Sequence, residues 1–345
     1  MTAHQPAQQG FTLPYPILII ISAMLLLFTV AYAISIGSVD LSLSQVVSAL
    51  FCQSACDVNS VEQKIVWDIR LPRVLMALIT GAGLSITGAM LQSVTRNPLA
   101  DPYLFGISSG SALGAVTVMA LIPTAIISVT FGALVGGAVS VALMLTLAGR
   151  SASIVERLLL AGVAVSFMLS AFTSLILYYS SPEIAATLLF WMMGSFSNSQ
   201  WQELWMPYTM VAVGLLLFIV FRRWVSAIQA GDESAHTLGV PVSRLRLGML
   251  IICSAITAVL VAHVGGIGFV GLMIPHICRF IVGAQIHRIL VMCLLLGSSF
   301  MIWVDVIARS LLEHQVLPVG VVTSAVGSFF FFVILKSRSQ HAINK

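Results

Sequence analysis

Four groups of residues in this 345-residue chain are of types that could do chemistry. Arg70 and Arg73, in WDIRLPR, sit three apart, so a helix would carry both on one face. A guanidinium fork can hold a carboxylate with two bonds. Asp232 and Glu233 open the segment GDESAHTLGVP, where their charge suits the N-terminus of a short helix. Ser108 and Ser109, taken with His263 or His276, are the residue types of a serine hydrolase. Cys52 and Cys56, in FCQSACD, are spaced to close a small disulfide loop if their side is oxidising.

What must position these groups is a membrane bundle. The chain is 59% hydrophobic and only 8% charged, whereas a soluble domain carries about 25% charged residues. This excludes a water-soluble core, and the net charge of +4 does not point to nucleic acid. About 20 apolar residues cross the hydrocarbon. Ten runs qualify, near 17–38, 71–92, 105–122, 124–148, 157–180, 204–221, 247–264, 267–284, 289–309 and 317–336. Pro123 parts the third from the fourth, and Gly265-Gly266 the seventh from the eighth. The first run has no basic flank and no small-residue cleavage site, so it reads as a retained helix. The expected fold is an all-α polytopic membrane protein with ten transmembrane helices. It forms one domain over 1–345, with a tail at 1–16, an inner loop at 222–246 and a C-terminus at 337–345.

Basic residues orient it. With the N-terminus in the cytoplasm, the inner side holds Arg96, Arg150, Arg157, Arg222, Arg223, Arg244, Arg246, Arg279, Arg288, Lys336, Arg338 and Lys345. The outer side keeps Lys64, Arg70, Arg73 and Arg309. That split obeys the positive-inside rule and places both termini in the cytoplasm. Small residues recur every fourth position as Gly106, Gly110, Gly114; as Gly81, Ser85, Ala89; and as Gly132, Gly136, Ser140. Such stripes predict closely packed helices.

Ten helices suit a transporter, which needs an energy source. An ion-coupled carrier places acids or histidines within its helices. Here only His263 and His276 lie deep, and a buried neutral histidine with one hydrogen bond is the ordinary case. No G-x-x-x-x-G-K-[ST] loop is present to cradle ATP, and none of the lysines follows a glycine. An ATPase, if one drives the chain, is another polypeptide that grips it from the cytoplasm. The inner loop 222–246 is the obvious grip. Within it Asp232 to Leu238 reads as a short helix, broken before by Gly231 and ended by Gly239 and Pro241.

Several blocks resemble the signatures of the FecCD family of permeases. They are RLPRVLMALITGAGLSITGAMLQSVTRNPLADPYLFGISSGSALGA, GDESAHTLGVP, GGIGFVGLMIPHICR and LPVGVVTSAVGSFFFFVILK, in order from about residue 65 to 338. The resemblance implies a membrane subunit of an ATP-driven importer for ferric siderophores, haem or cobalamin. It implies a second permease copy or homologous permease, two ATPase subunits that carry the ATP and Mg, and a periplasmic substrate-binding protein. It places the chain in a bacterial inner membrane, with helices two to five and seven to ten in inverted repeat. It assigns Gly231, Asp232, Glu233, Ala235, Leu238, Gly239 and Pro241 to ATPase coupling. Arg70, Arg73 and Arg309 would dock carboxylates of the binding protein. The fifth and tenth helices would line the passage, offering Phe167, Met168, Phe172 and Phe329. Ser151, Ala152 and Ser153 would form a cytoplasmic gate, and ATLLFWMMGSFSN would be a short outer helix. The chain itself would be no enzyme and hold no cofactor. Ferric siderophore is the expected cargo, with haem or cobalamin as alternatives. The competing reading of the arginines pairs them inside the subunit with Asp68, Asp305 or Glu313, or with lipid phosphates.

The remaining residues imply less. Cys253, Cys278 and Cys293 fall on helices and read as small apolar packing. In HICR, Pro275 is expected to break the eighth helix, which explains the motif without haem. His314 lies outside and nothing requires it to bind.

Overall fold

The computed structural model describes residues 13–37, 41–51, 61–122, 128–149, 155–312 and 315–343. All regular structure among them is helical. The chain opens with α1 (Tyr15–Ser35), α2 (Leu43–Phe51) and α3 (Val61–Lys64). A wide π-type turn over Ile65–Arg70 leads into α4 (Leu71–Thr95). Next come a 3-10 turn at Pro102–Phe105, α5 (Ile107–Leu121), α6 (Val129–Ala148), α7 (Val155–Tyr179) and α8 (Pro182–Met192). The rest is α9 (Trp201–Ala230), α10 (Asp232–Thr237), α11 (Val242–Val264), α12 (Val270–Val282), α13 (Ile286–Ser310) and α14 (Val319–Ile343).

Eight of these helices are long and apolar enough to cross a membrane. The expected third and eighth crossings exist as helices but are short: α5 has 15 residues and α12 has 13. At 1.5 Å per residue neither reaches across ~30 Å of hydrocarbon alone. The chain extends each with non-α-helical backbone ahead of it, at 96–106 before α5 and 265–269 before α12. These two stretches meet inside the bundle, where Ile267 N donates to Tyr103 Oη at 2.8 Å. Non-helical backbone at depth is tolerated where protein buries it.

The helix α4 is the axis of the fold. Nearly all its residues are buried, and α9, α11, α12 and α13 pack around it. Much of α1, α6, α7, α9 and α14 faces outward. Two of the small-residue stripes meet as expected. Gly110 lies against the Gly136 backbone and Gly114 against Gly132, so α5 and α6 touch backbone to backbone. On α4, Gly81 meets Gly297 of α13 and Gly88 meets Gly271 of α12. No side chain larger than hydrogen fits at these crossings.

Two expectations are corrected. The segment 222–246 is not all loop: α9 runs 30 residues to Ala230, because no Gly or Pro falls between Arg222 and Gly231. And Pro275 does not break its helix; it sits within α12. Proline lacks the N–H that would bond the carbonyl four residues back. That carbonyl belongs to Gly271, and Gln92 Nε2 of α4 donates to it at 2.9 Å. A neighbouring helix replaces the missing donor.

Candidate functional site

At the expected inner end, α9 stops at Gly231, whose φ of 129° is closed to most side chains. The six residues of α10 follow, and Gly239 ends them at φ 75°. Ala235 is fully buried and its N–H donates to Gly231 O, so one face of the turn is seated on the bundle. Glu233, Gly239 and Pro241 are exposed, and Leu238 is 72% exposed at the tip. The segment is a small knob with an apolar point.

Charge anchors this knob. Arg246 of α11 donates from Nη2 to both Asp232 carboxylate oxygens, at 3.0 and 3.2 Å. Its Nε donates to Val94 O, in the last turn of α4. Arg96, in the left-handed conformation that ends α4, brings Nη2 to 3.4 Å of the same carboxylate. The first residue of α10 is thereby tied to the end of the central helix. A polar cleft of about 460 Å³ lies beside it, lined by Gln92, Ser93, Arg96, Gln229, His276 and Arg279 among others. There Gln92 Oε1 accepts from Arg279, and Gln229 donates to Ser93.

Arg70, Arg73 and Arg309, the expected docking arginines, all bond within the chain. Arg70 is only 4% exposed, and its Nη1 donates to Ile34 O and Ser35 O, both at 2.7 Å. Arg309 donates to Ala33 O and Ile36 O. These four carbonyls lie at the C-terminal end of α1, which carries partial negative charge and lacks intrahelical partners. Arg73 is committed to Asp305, with Nε at 2.9 and 3.0 Å from its two oxygens and Nη2 at 2.8 Å. Arg309 Nε also lies 3.5 Å from Asp305. Burial and these bonds turn the arginines inward, so the pairing with Asp305, held as the competing reading, is the one formed by Arg73. Sequence reasoning missed the carbonyls because backbone acceptors leave no residue signature.

Phe167, Met168 and Phe172 lie on the exposed side of α7, and Phe329 on that of α14. The short helix expected on the outer side is present as α8, and its end is stitched down: Ser195 N donates to Val264 O, and Gly320 N to Met193 O. Beneath it, between α5, α7 and α8, lies a second cavity of about 260 Å³. Ser109 accepts there from Ser170 at 3.1 Å, while His263 Nδ1 donates to Val259 O at 2.8 Å. Neither enters the serine–histidine pair that hydrolysis would require. Cys253, Cys278 and Cys293 are buried free thiols. Among the described residues no three His, Cys, Asp or Glu side chains converge on a metal position. Ser151, Ala152 and Ser153, the expected gate, lie outside the described residues, as do Cys52, Cys56, Glu313, His314 and tail residues 1–12.

Comparison with known proteins gives a consistent result. The pattern that defines the FecCD transport family matches residues 25–337. The cobalamin import system permease protein of Halobacterium salinarum is 35% identical over 83% of this chain and 77% of its own. The Fe(3+)-citrate import system permease protein of Bacillus subtilis is 33% identical over 93% of this chain and 95% of its own. Other relatives are named for molybdate and hemin import. Among solved structures, an inward-facing ABC transporter of metal-chelate type superposes with a TM-score of 0.83. It is 30% identical and covers 94% of this chain and 100% of its own.

Proposed function

The chain belongs to the FecCD transport family and is a permease of ABC importers, and from that premise we propose that it carries a ferric siderophore complex from periplasm to cytoplasm. Haem and cobalamin are the alternative cargoes within the same family. The reading includes a second permease, identical or homologous, two ATPase subunits that hold ATP and Mg, and a periplasmic binding protein. The setting is a bacterial inner membrane with both termini in the cytoplasm. Ten crossings complete the bundle when α5 and α12 are counted with the eight long helices. In length α4 to α7 run long, short, long, long, and α11 to α14 repeat that order. This supports the inverted repeat.

The observation that carries the proposal is the knob at Gly231–Pro241. An exposed Leu238 suits insertion into a cleft of a partner, and the Asp232 anchor gives that partner a handle on α4. Phe167, Met168, Phe172 and Phe329 supply an apolar wall along which a bulky chelate can slide. The arginine latch on α1 is assigned to assembly rather than to docking.

The test separates strain from bulk at Gly239. A Cβ there meets nothing within 4 Å, but its φ of 75° strains any L residue. Gly239→Ala therefore costs about 1 kcal/mol of backbone strain and leaves the partner's cleft unobstructed. Gly239→Trp carries the same strain and adds bulk on the docking side. In vesicles with the ATPase and binding protein present, ATP-dependent ferric siderophore uptake should survive the alanine and collapse with tryptophan. Equal uptake by the two variants would remove this segment from coupling. Wild-type uptake of only haem or cobalamin would reassign the cargo.

A further inference from the structure

The cavity between α5, α7 and α8 is lined by hydroxyls. Ser108 and Ser109 come from the first turn of α5, and Ser170, Thr173 and Ser174 from consecutive turns of α7. Trp191 and Met192 close one side. None of its lining side chains carries a charge. Thr173 spends its hydroxyl on Leu169 O, and Ser170 donates to Ser109. Among the described residues the Ser108 and Ser174 hydroxyls have no hydrogen-bonding partner within the chain, and the Ser109 proton is left to donate.

Position makes this more than a helix-packing seam. Phe167, Ser170 and Ser174 fall three and four residues apart, on one exposed stripe of α7. The cavity thus opens beside the apolar residues assigned above to the passage. Its 260 Å³ is below the ~300–1,000 Å³ of a pocket that engulfs a whole small ligand. It suits one edge of a larger body.

Resting on the importer reading, we infer that this cavity is a cargo subsite, and that it takes the oxygen-rich edge of a ferric chelate whose metal is bound through oxygen. Such an edge presents clustered acceptors. Serine hydroxyls donate to them and rotate to suit each arrangement. Neutral donors orient the chelate without the tight grip of an arginine, whose burial in the membrane is also costly. The passage is then not uniformly apolar. It is a slick wall with one polar foothold, entered beneath α8.

The test uses the complete importer, with ferric citrate and a ferric hydroxamate as probes. Ser109, Ser170 and Ser174 are replaced together, once by alanine and once by threonine. Alanine removes the donors at almost no change in volume, and threonine keeps them. Losing one neutral hydrogen bond to the moving cargo corresponds to about a fivefold change. Uptake of the oxygen-bound chelates should fall at least that far with alanine and return with threonine. Alanine variants that import at the wild-type rate would overturn the subsite and leave the importer reading intact. Loss with both replacements would assign the serines to packing and also overturn it. A wild-type complex that imports neither chelate would remove the iron-chelate reading and the subsite with it.

Discussion

Asp232 and Arg246 form a two-oxygen pair at 3.0 and 3.2 Å, and the same guanidinium donates to Val94 O at 3.0 Å. One side chain thus joins the start of α10 to the end of α4. Any force applied to the knob reaches the helix that α9, α11, α12 and α13 pack around. Asp232→Asn keeps the shape but removes the charge that holds both Arg246 and Arg96. The expected result is a near-normal fold with transport per ATP reduced roughly tenfold, the low end for losing hydrogen bonds to a charged group because Asp232 is partly exposed. Asp232→Glu should restore part of it. The ratio of cargo moved to ATP hydrolysed in vesicles is the measurement, and an unchanged ratio would show that α10 communicates by another route.

Asp305 stands at the opposite end of the bundle and is fully buried. It is the acid that faces Arg73 and Arg309, and Arg309 also holds α1 in place. Removing one partner from a buried ion pair leaves uncompensated charge and costs about 3–5 kcal/mol. Asp305→Asn should therefore lower thermal stability sharply in detergent and loosen α1. Exchanging the closer pair together for apolar residues, as Arg73→Met with Asp305→Leu, should cost less than Asp305→Asn alone, since Arg309 keeps its bonds to Ala33 O and Ile36 O. A mild effect of Asp305→Asn would mean the arginines find water instead.

The contrast between these two sites explains what the sequence made legible. All ten apolar runs correspond to helices, because hydropathy over 20 residues is a strong signal. The knob was also legible, since Gly231, Gly239 and Pro241 punctuate it. Lengths were less so. Nothing in FRRWVSAIQA turns apolar periodicity into a visible helix end, so the last turns of α9 read as loop. The arginines were harder still. Arg70 and Arg309 bond carbonyls of α1, more than 30 residues and more than 270 residues away. Such acceptors exist at the end of every helix, and sequence alone does not say which cation will meet which end.

Gln92 and Pro275 allow a sharper test of packing. The Gln92 amide donates to Gly271 O, left free by Pro275, while its oxygen accepts from Arg279. Gln92→Leu strands both groups and should cost about 1–3 kcal/mol. In a Pro275→Ala background, α12 regains its own N–H for Gly271 O. There Gln92→Leu should cost measurably less, so the double-mutant cycle should give a coupling of at least about 0.5 kcal/mol. Additive costs would show that the proline and the glutamine do not share the carbonyl.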